Sequence, residues 1–179
     1  MKMTRYLFLV FAAIALFSAG AYAQTKKPAK KGTTTAARNA ATLPPLDVRA
    51  ARVKVSNQLA NVSMFTQKLG PIAQAIEALD SEAKIKKVST KSLDENTANK
   101  QKVVKAIRDL REGIVKLESE FRVKAALKKY LSTIQGISDL AGQAETSAIA
   151  GNFVAANTPL RTLQQKLNDT LTAMPNAEL

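Results

Sequence analysis

The sequence has no histidine and no cysteine, so any proton-transfer chemistry must fall to carboxylates, lysines and tyrosines. That absence removes Ser-His-Asp and Cys-His nucleophilic catalysis, the usual zinc ligand sets, and the Glu-x-x-His pairs of di-iron bundles. Three pairs of acids lie close in the chain: Glu77 with Asp80, Asp94 with Glu95, and Glu118 with Glu120. Two carboxylates held together can divide acid and base work between them. Each pair here has lysine or arginine close by and none interrupts an apolar stripe, which reads as a solvated helix face. No glycine-rich phosphate loop and no nucleophile elbow occurs. Tyr130 and Gln135, beside Gly136, could line a cleft, although such residues more often form the amphipathic rim of a core. Met64 and Met174 read as core or edge fillers rather than metal ligands. Asn61-Val62-Ser63 and Asn168-Asp169-Thr170 match a glycosylation pattern, but both fall within helical stripes. The expectation is therefore no catalytic residue, no metal site and no cofactor.

The side chains left with something to bind are cations. The chain carries 27 Lys plus Arg against 14 Asp plus Glu. Lys26, Lys27, Lys30, Lys31 and Arg38 lie in a stretch, 24–42, without acids or large apolar residues. Arg122, Lys124, Lys128 and Lys129 form a second group. The first group belongs to a 24–45 linker rich in Lys, Ala, Thr and Pro, which has nothing to bury and is expected to be disordered. These nine residues are the candidate contacts with an anionic surface.

Residues 1–23 have the pattern of an export signal. Lys2 and Arg5 supply the positive start, Tyr6 to Phe17 the apolar run, and Ala21-Tyr22-Ala23 the small-x-small cleavage site. The run is short for a membrane span, which needs ~20 apolar residues. No cysteine follows the cleavage site, so the lipoprotein route is closed. Cleavage after Ala23 would leave 156 of the 179 residues, enough for one domain with a core. Without Lys2 and Arg5, 25 basic residues face the same 14 acids, so the exported chain stays strongly basic. Export makes nucleic acid an improbable physiological partner, despite a charge balance that would suggest it in the cytoplasm. Lipid headgroups, acidic envelope polymers or an envelope protein remain as partners, with no transmembrane span after cleavage and a periplasmic or secreted location.

The elements that must position these residues are helical. Aromatics make up only 5% of the chain. Val103, Ile107, Leu110, Ile114, Leu117 and Phe121 step by four and three in turn, an unbroken helical seam. Ser92 with Glu95 fits a capping box at the start of that helix. Before it, Val48, Val55, Val62, Leu69, Ile76 and Ala83 lie seven apart and keep phase across Gly70-Pro71. Retained phase favours one long helix kinked at Pro71, ending near Val88, over two helices joined by a turn. The second helix's seam fails after Phe121, where Lys124 and Lys128 take the next positions, so the chain is expected to turn around Arg122 to Lys124. A third helix then runs from about Leu127 to Gly151. A fourth runs from Asn152 or Phe153 to about Met174, with Phe153, Ala156, Leu160, Leu163, Leu167 and Leu171 inward and Pro175 as its stop.

The expected architecture is all-α: an antiparallel up-down bundle of four main helices over 46–175, after a disordered basic tail. The layout is similar to that of an exported b-type cytochrome bundle, in architecture only, because no histidine exists to bind haem. The function expected is a non-catalytic binding or structural protein of the cell envelope, held to anionic surfaces by its tail. Two other readings stand beside it: a carrier of a small apolar ligand, and a hydrolase or lyase that uses carboxylates alone.

Overall fold

The structure, a computed structural model, describes residues 44–176. The expected signal peptide and Lys26, Lys27, Lys30, Lys31 and Arg38 lie outside the described residues. Within them the chain is all-helical, with no strand.

Helix α1 (Leu46–Ile85) is 40 residues long and runs unbroken through Gly70-Pro71. Pro45 sits before it with φ −49°, and its carbonyl accepts from the amides of Val48 (2.9 Å) and Arg49 (3.1 Å). Asp47 occupies the first turn, where the helix N-terminus favours negative charge. Pro71 lacks the amide that would bond the Gln67 carbonyl, and it is placed on the exposed side, where water can reach that carbonyl. The helix stops at Ile85, three residues before the expected end, with Lys86 extended and its amide still bonded to the Glu82 carbonyl (3.0 Å).

Helix α2 (Thr90–Val123) starts earlier than the Ser92–Glu95 box implied. Ser89 is the cap, and its Oγ accepts from the Ser92 amide at 3.2 Å. It offers the same oxygen one turn sooner, so the helix gains a turn. The seam of α2 faces inward as its spacing required: Val103, Ile107, Ile114, Leu117 and Phe121 are buried, and Leu110 is half-buried at the edge. Asn96 is buried as well, donating to the Ile76 carbonyl (3.3 Å) and the Asp80 carboxylate (2.9 Å), which ties α2 to α1.

The chain turns at Lys124, as expected, through one extended residue with φ −79° and ψ 119°. The continuous third helix does not form. Its place is taken by a 3-10 segment (Ala125–Tyr130), a single turn α3 (Leu131–Ile134) and helix α4 (Ile137–Ile149). Gln135 and Gly136 separate α3 from α4, and Gly136 has φ 85°, a conformation that suits glycine. Leu127, Ile134, Ile137 and Ala141 are buried on both sides of the break, so the apolar stripe is continuous although the helix is not. Helix α4 ends at Gly151 (φ 83°) with the paired bonds of a Schellman motif, Asn152 N to Ser147 O (2.9 Å) and Gly151 N to Ala148 O (3.0 Å). Helix α5 (Phe153–Ala173) starts where expected and carries Pro159 inside it.

Helix α5 packs most extensively against α1 and α4, α4 also packs on α2, and α1 meets α2 less. One core cluster gathers Val48, Val55 and Val62 of α1, Ile114, Leu117 and Phe121 of α2, and Leu163, Leu167 and Met174 at the α5 end. Leu127 and Ile134 close it from the broken segment.

Leu117→Ala removes a side chain that is 3% exposed in this cluster. Denaturant unfolding should show a loss of ~2–5 kcal/mol, while Val115→Ala on the outer side of α2 should change stability by less than ~0.5 kcal/mol.

Candidate functional site

Of the basic residues in the 122–129 junction, Lys124 reaches the first turn of α1. Lys124 Nζ lies 3.0 Å from Asp47 Oδ1 and 3.8 Å from Glu120 Oε2. The hydrogen bond to Asp47, followed by the charges of Asp47 and Glu120, holds the Lys124 ammonium above the usual lysine range. Lys54 of α1 pairs with Glu120 as well. Arg122 Nη2 is 2.5 Å from Glu118 Oε1. Two of the four junction cations therefore have their charge met within the fold. Lys128 and Lys129 remain exposed, with Lys129 Nζ 4.9 Å from the centroid of the Tyr130 ring. Arg52, on α1 nearby, closes the last turn of α5: it donates to the Leu171 carbonyl, the Met174 carbonyl (2.8 Å) and the Asn176 side chain. Arg52, Lys129, Tyr130 and Leu171 to Asn176 border an open depression of about 680 Å³. Tyr130 is thus at its edge, while Gln135 is exposed elsewhere and its carbonyl is held by Lys166 Nζ at 3.2 Å.

The acids behave differently from their expected role as a solvated face. Glu118 is 2% exposed. Its Oε1 accepts from the Gly136 amide and its Oε2 from the Ser138 amide, both at 2.9 Å. These are the free amides at the first turn of α4, where a helix attracts negative charge. Burial is the largest single influence on this carboxyl and pushes its pKa up. The Gly136 and Ser138 amides, the Ser138 hydroxyl and Arg122 together outweigh it, and the pKa falls from 4.5 to about 2. Glu145 of α4 is the second buried carboxylate, 6% exposed. Arg108 Nε (2.8 Å) and Arg111 Nη1 (2.7 Å) reach it from α2, and their hydrogen bonds hold its pKa below the usual carboxylate range. Arg108 lies on the same helix as Glu112, four residues away, but its guanidinium goes to the deeper carboxylate on α4.

The three acid pairs read from the sequence do not converge. Glu77 accepts from the Val154 amide (2.8 Å) and so caps α5, while Asp80 takes Asn96 and Lys100 (2.6 Å). Glu118 is buried and Glu120 faces Lys54 and Lys124. Asp94 is exposed, and Glu95 is half-buried. Among the described residues no cluster of three or more carboxylates is placed to hold a metal ion. Met174 is buried in the core, as expected of a filler, whereas Met64 is exposed. Sequence reasoning missed Glu118 because it lies among charged neighbours, and Glu145 because it stands alone, outside the acid pairs close in sequence. The available signal was position: Glu118 directly follows the seam residue Leu117, and Glu145 lies between Ala144 and Ala148 on the inward side of α4.

No protein-family model matches the chain, and neither does any curated protein or solved structure.

The Glu118 arrangement has a pH signature. Its folded pKa is depressed, so its stabilisation is fully present above pH 4.5 and is lost as pH falls toward about 2. The loss should be on the order of 3 kcal/mol. Glu118→Gln should remove that pH dependence and cost about 1–3 kcal/mol at neutral pH, because one amide donor then faces a side-chain NH₂. Urea unfolding of both proteins from neutral pH down to the folded pKa measures this; parallel curves would contradict the capping role. Gly136→Ala should cost about 1–2 kcal/mol from its φ of 85° alone, since an added Cβ meets nothing within 4 Å.

Proposed function

We propose that this chain is an exported, non-catalytic binding or structural protein of the cell envelope: a four-helix up-down bundle that rests one basic end on an anionic surface. One observation supports the reading. The Lys124–Asp47 contact, at 3.0 Å, brings the 122–129 junction to the start of α1, the point where the 24–45 segment joins the bundle. Lys128 and Lys129 are exposed in that junction, and the sequence that precedes α1 carries Lys26, Lys27, Lys30, Lys31 and Arg38. The two groups are far apart in sequence. Arg122 and Lys124, paired with Glu118 and Asp47, contribute less to this surface than their formal charge suggests.

The other two readings find less support. Among the described residues each buried carboxylate, Glu118 and Glu145, is committed to helix amides or arginines and is not poised as a free acid or base. A depression of about 810 Å³ between α1 and α5 is open and bordered mainly by polar groups, among them Ser56, Ser63, Gln67, Gln164 and Asn168, a poor match for a small apolar ligand. None of the described helices is long and apolar enough to cross a membrane.

The test is binding of the exported chain to anionic vesicles as a function of salt. Each basic residue near such a surface contributes about 1 kcal/mol, so the five segment charges supply ~5 kcal/mol at most. Binding should weaken steeply as the Debye length falls from ~10 Å at 0.1 M to ~3 Å at 1 M salt. Replacing the five residues by glutamine should abolish most of it, and Lys128→Gln with Lys129→Gln should weaken it further. Binding indifferent to salt or to these changes would leave the segment as a spacer.

A further inference from the structure

Helix α1 is apolar on two faces. Its inner row, including Val48, Val55, Val62, Leu69 and Ile76, is buried. A second row, Leu46, Val53, Ala60, Met64, Pro71, Ala78 and Ile85, is exposed along its length, advancing by seven residues at every step but one, which is four. The large members are well out in solvent: Leu46 75%, Val53 60%, Met64 42% and Ile85 86% exposed. A single helix packed on a core normally shows one apolar stripe. A repeat of seven is the spacing that keeps a seam against another helix.

We infer that this outer row pairs α1 with the α1 of a second copy of this chain, antiparallel and side by side. Three observations carry the choice of partner and direction. The formal charges divide by half: Arg49, Arg52 and Lys54 outnumber Asp47 in the first half of α1, and Glu77, Asp80 and Glu82 outnumber Lys68 and Lys84 in the second; because Arg52, Lys54, Glu77, Asp80 and Glu82 are also held by contacts within the chain, the division acts through the net field of each half and not through new ion pairs. Antiparallel pairing sets the basic half of one copy against the acidic half of the other, whereas parallel pairing sets like against like. The row is also self-complementary about the point between Phe65 and Thr66. Turned end for end, it places Leu46 opposite Ile85, Val53 opposite Ala78, and Ala60 opposite Pro71. A two-fold interface requires that property of one surface meeting itself. Finally, a helix of 40 residues gives a contact ~60 Å long and ~10 Å wide. That buries roughly 1,200 Å² over both copies, above the ~1,000 Å² of a specific interface. A helix lying on lipid would carry a wider apolar face with basic flanks; this row is narrow, includes Asn57 and Gln67 beside it, and is flanked in its second half by acids.

The experiment is sedimentation equilibrium of the exported chain with Val53→Lys, Ala78→Glu and the double variant. Both positions are exposed, and circular dichroism checks that each variant keeps its helix content. The parent chain should self-associate across the micromolar range. Each single change should raise the dissociation constant about tenfold or more. The double variant should recover most of the loss, because in the antiparallel register the two changed positions face each other across the axis. A parent chain that stays monomeric overturns the inference, as does a double variant weaker than either single one. Binding of the monomer to neutral lipid vesicles that Val53→Lys abolishes, without any dimer, overturns it in favour of a lipid-facing row.

Discussion

A carboxylate can be taken out of water only if hydrogen-bond donors replace the water, and Glu118 meets that condition at the break in the helical ladder between α3 and α4. The break at Gln135-Gly136 leaves amides at the start of α4 without helical partners. Glu118, one residue past Leu117 on the inward side of α2, supplies both carboxylate oxygens to them. Each side solves the other's problem. The buried charge gains two amides and Arg122, and the exposed first turn of α4 gains an anion at its positive end. Ile137 and Ala141 can then enter the same core as Leu127 and Ile134, although the two stretches belong to different helical segments. Lys166 holds the Gln135 carbonyl from α5, so the break is fastened from two neighbouring helices.

The other long-range polar contacts follow the same logic of one helix finishing another. Glu77 of α1 caps the first turn of α5, and Arg52 of α1 closes its last turn. Ends of α5 would otherwise expose amides at one end and carbonyls at the other, and both are met from α1, the helix against which α5 packs most. Glu145 with Arg108 and Arg111 joins α4 to α2 by the opposite device, a buried acid between two half-exposed guanidinium groups. Charge in this protein is spent largely on fixing helices against one another. Lys128 and Lys129, like several other exposed cations among the described residues, are free of such duties, and so is the outer row of α1.

Sequence alone determined the helical class, the two long seams and the positions where the chain turns near Lys124 and Gly151. Periodicity reports burial directly: a residue every three or four positions lies on one face, whatever the partner is. It even carried α1 correctly through Gly70-Pro71, because the seven-residue phase persists across the pair. The end of α1, the Ser89 cap and the break at Gly136 were not legible, since each depends on a competition between local options. A helix stripe also reads the same whether the helix runs through or restarts at a glycine, and Ser89 and Ser92 offer nearly equal caps. The fate of the charged residues was least legible of all. Glu118 and Arg122 spaced four apart look like any solvated pair, and only the approach of α4 turns one of them into a buried cap. That decision belongs to tertiary structure, because the donors that make burial affordable come from backbone amides eighteen and twenty residues further along the chain.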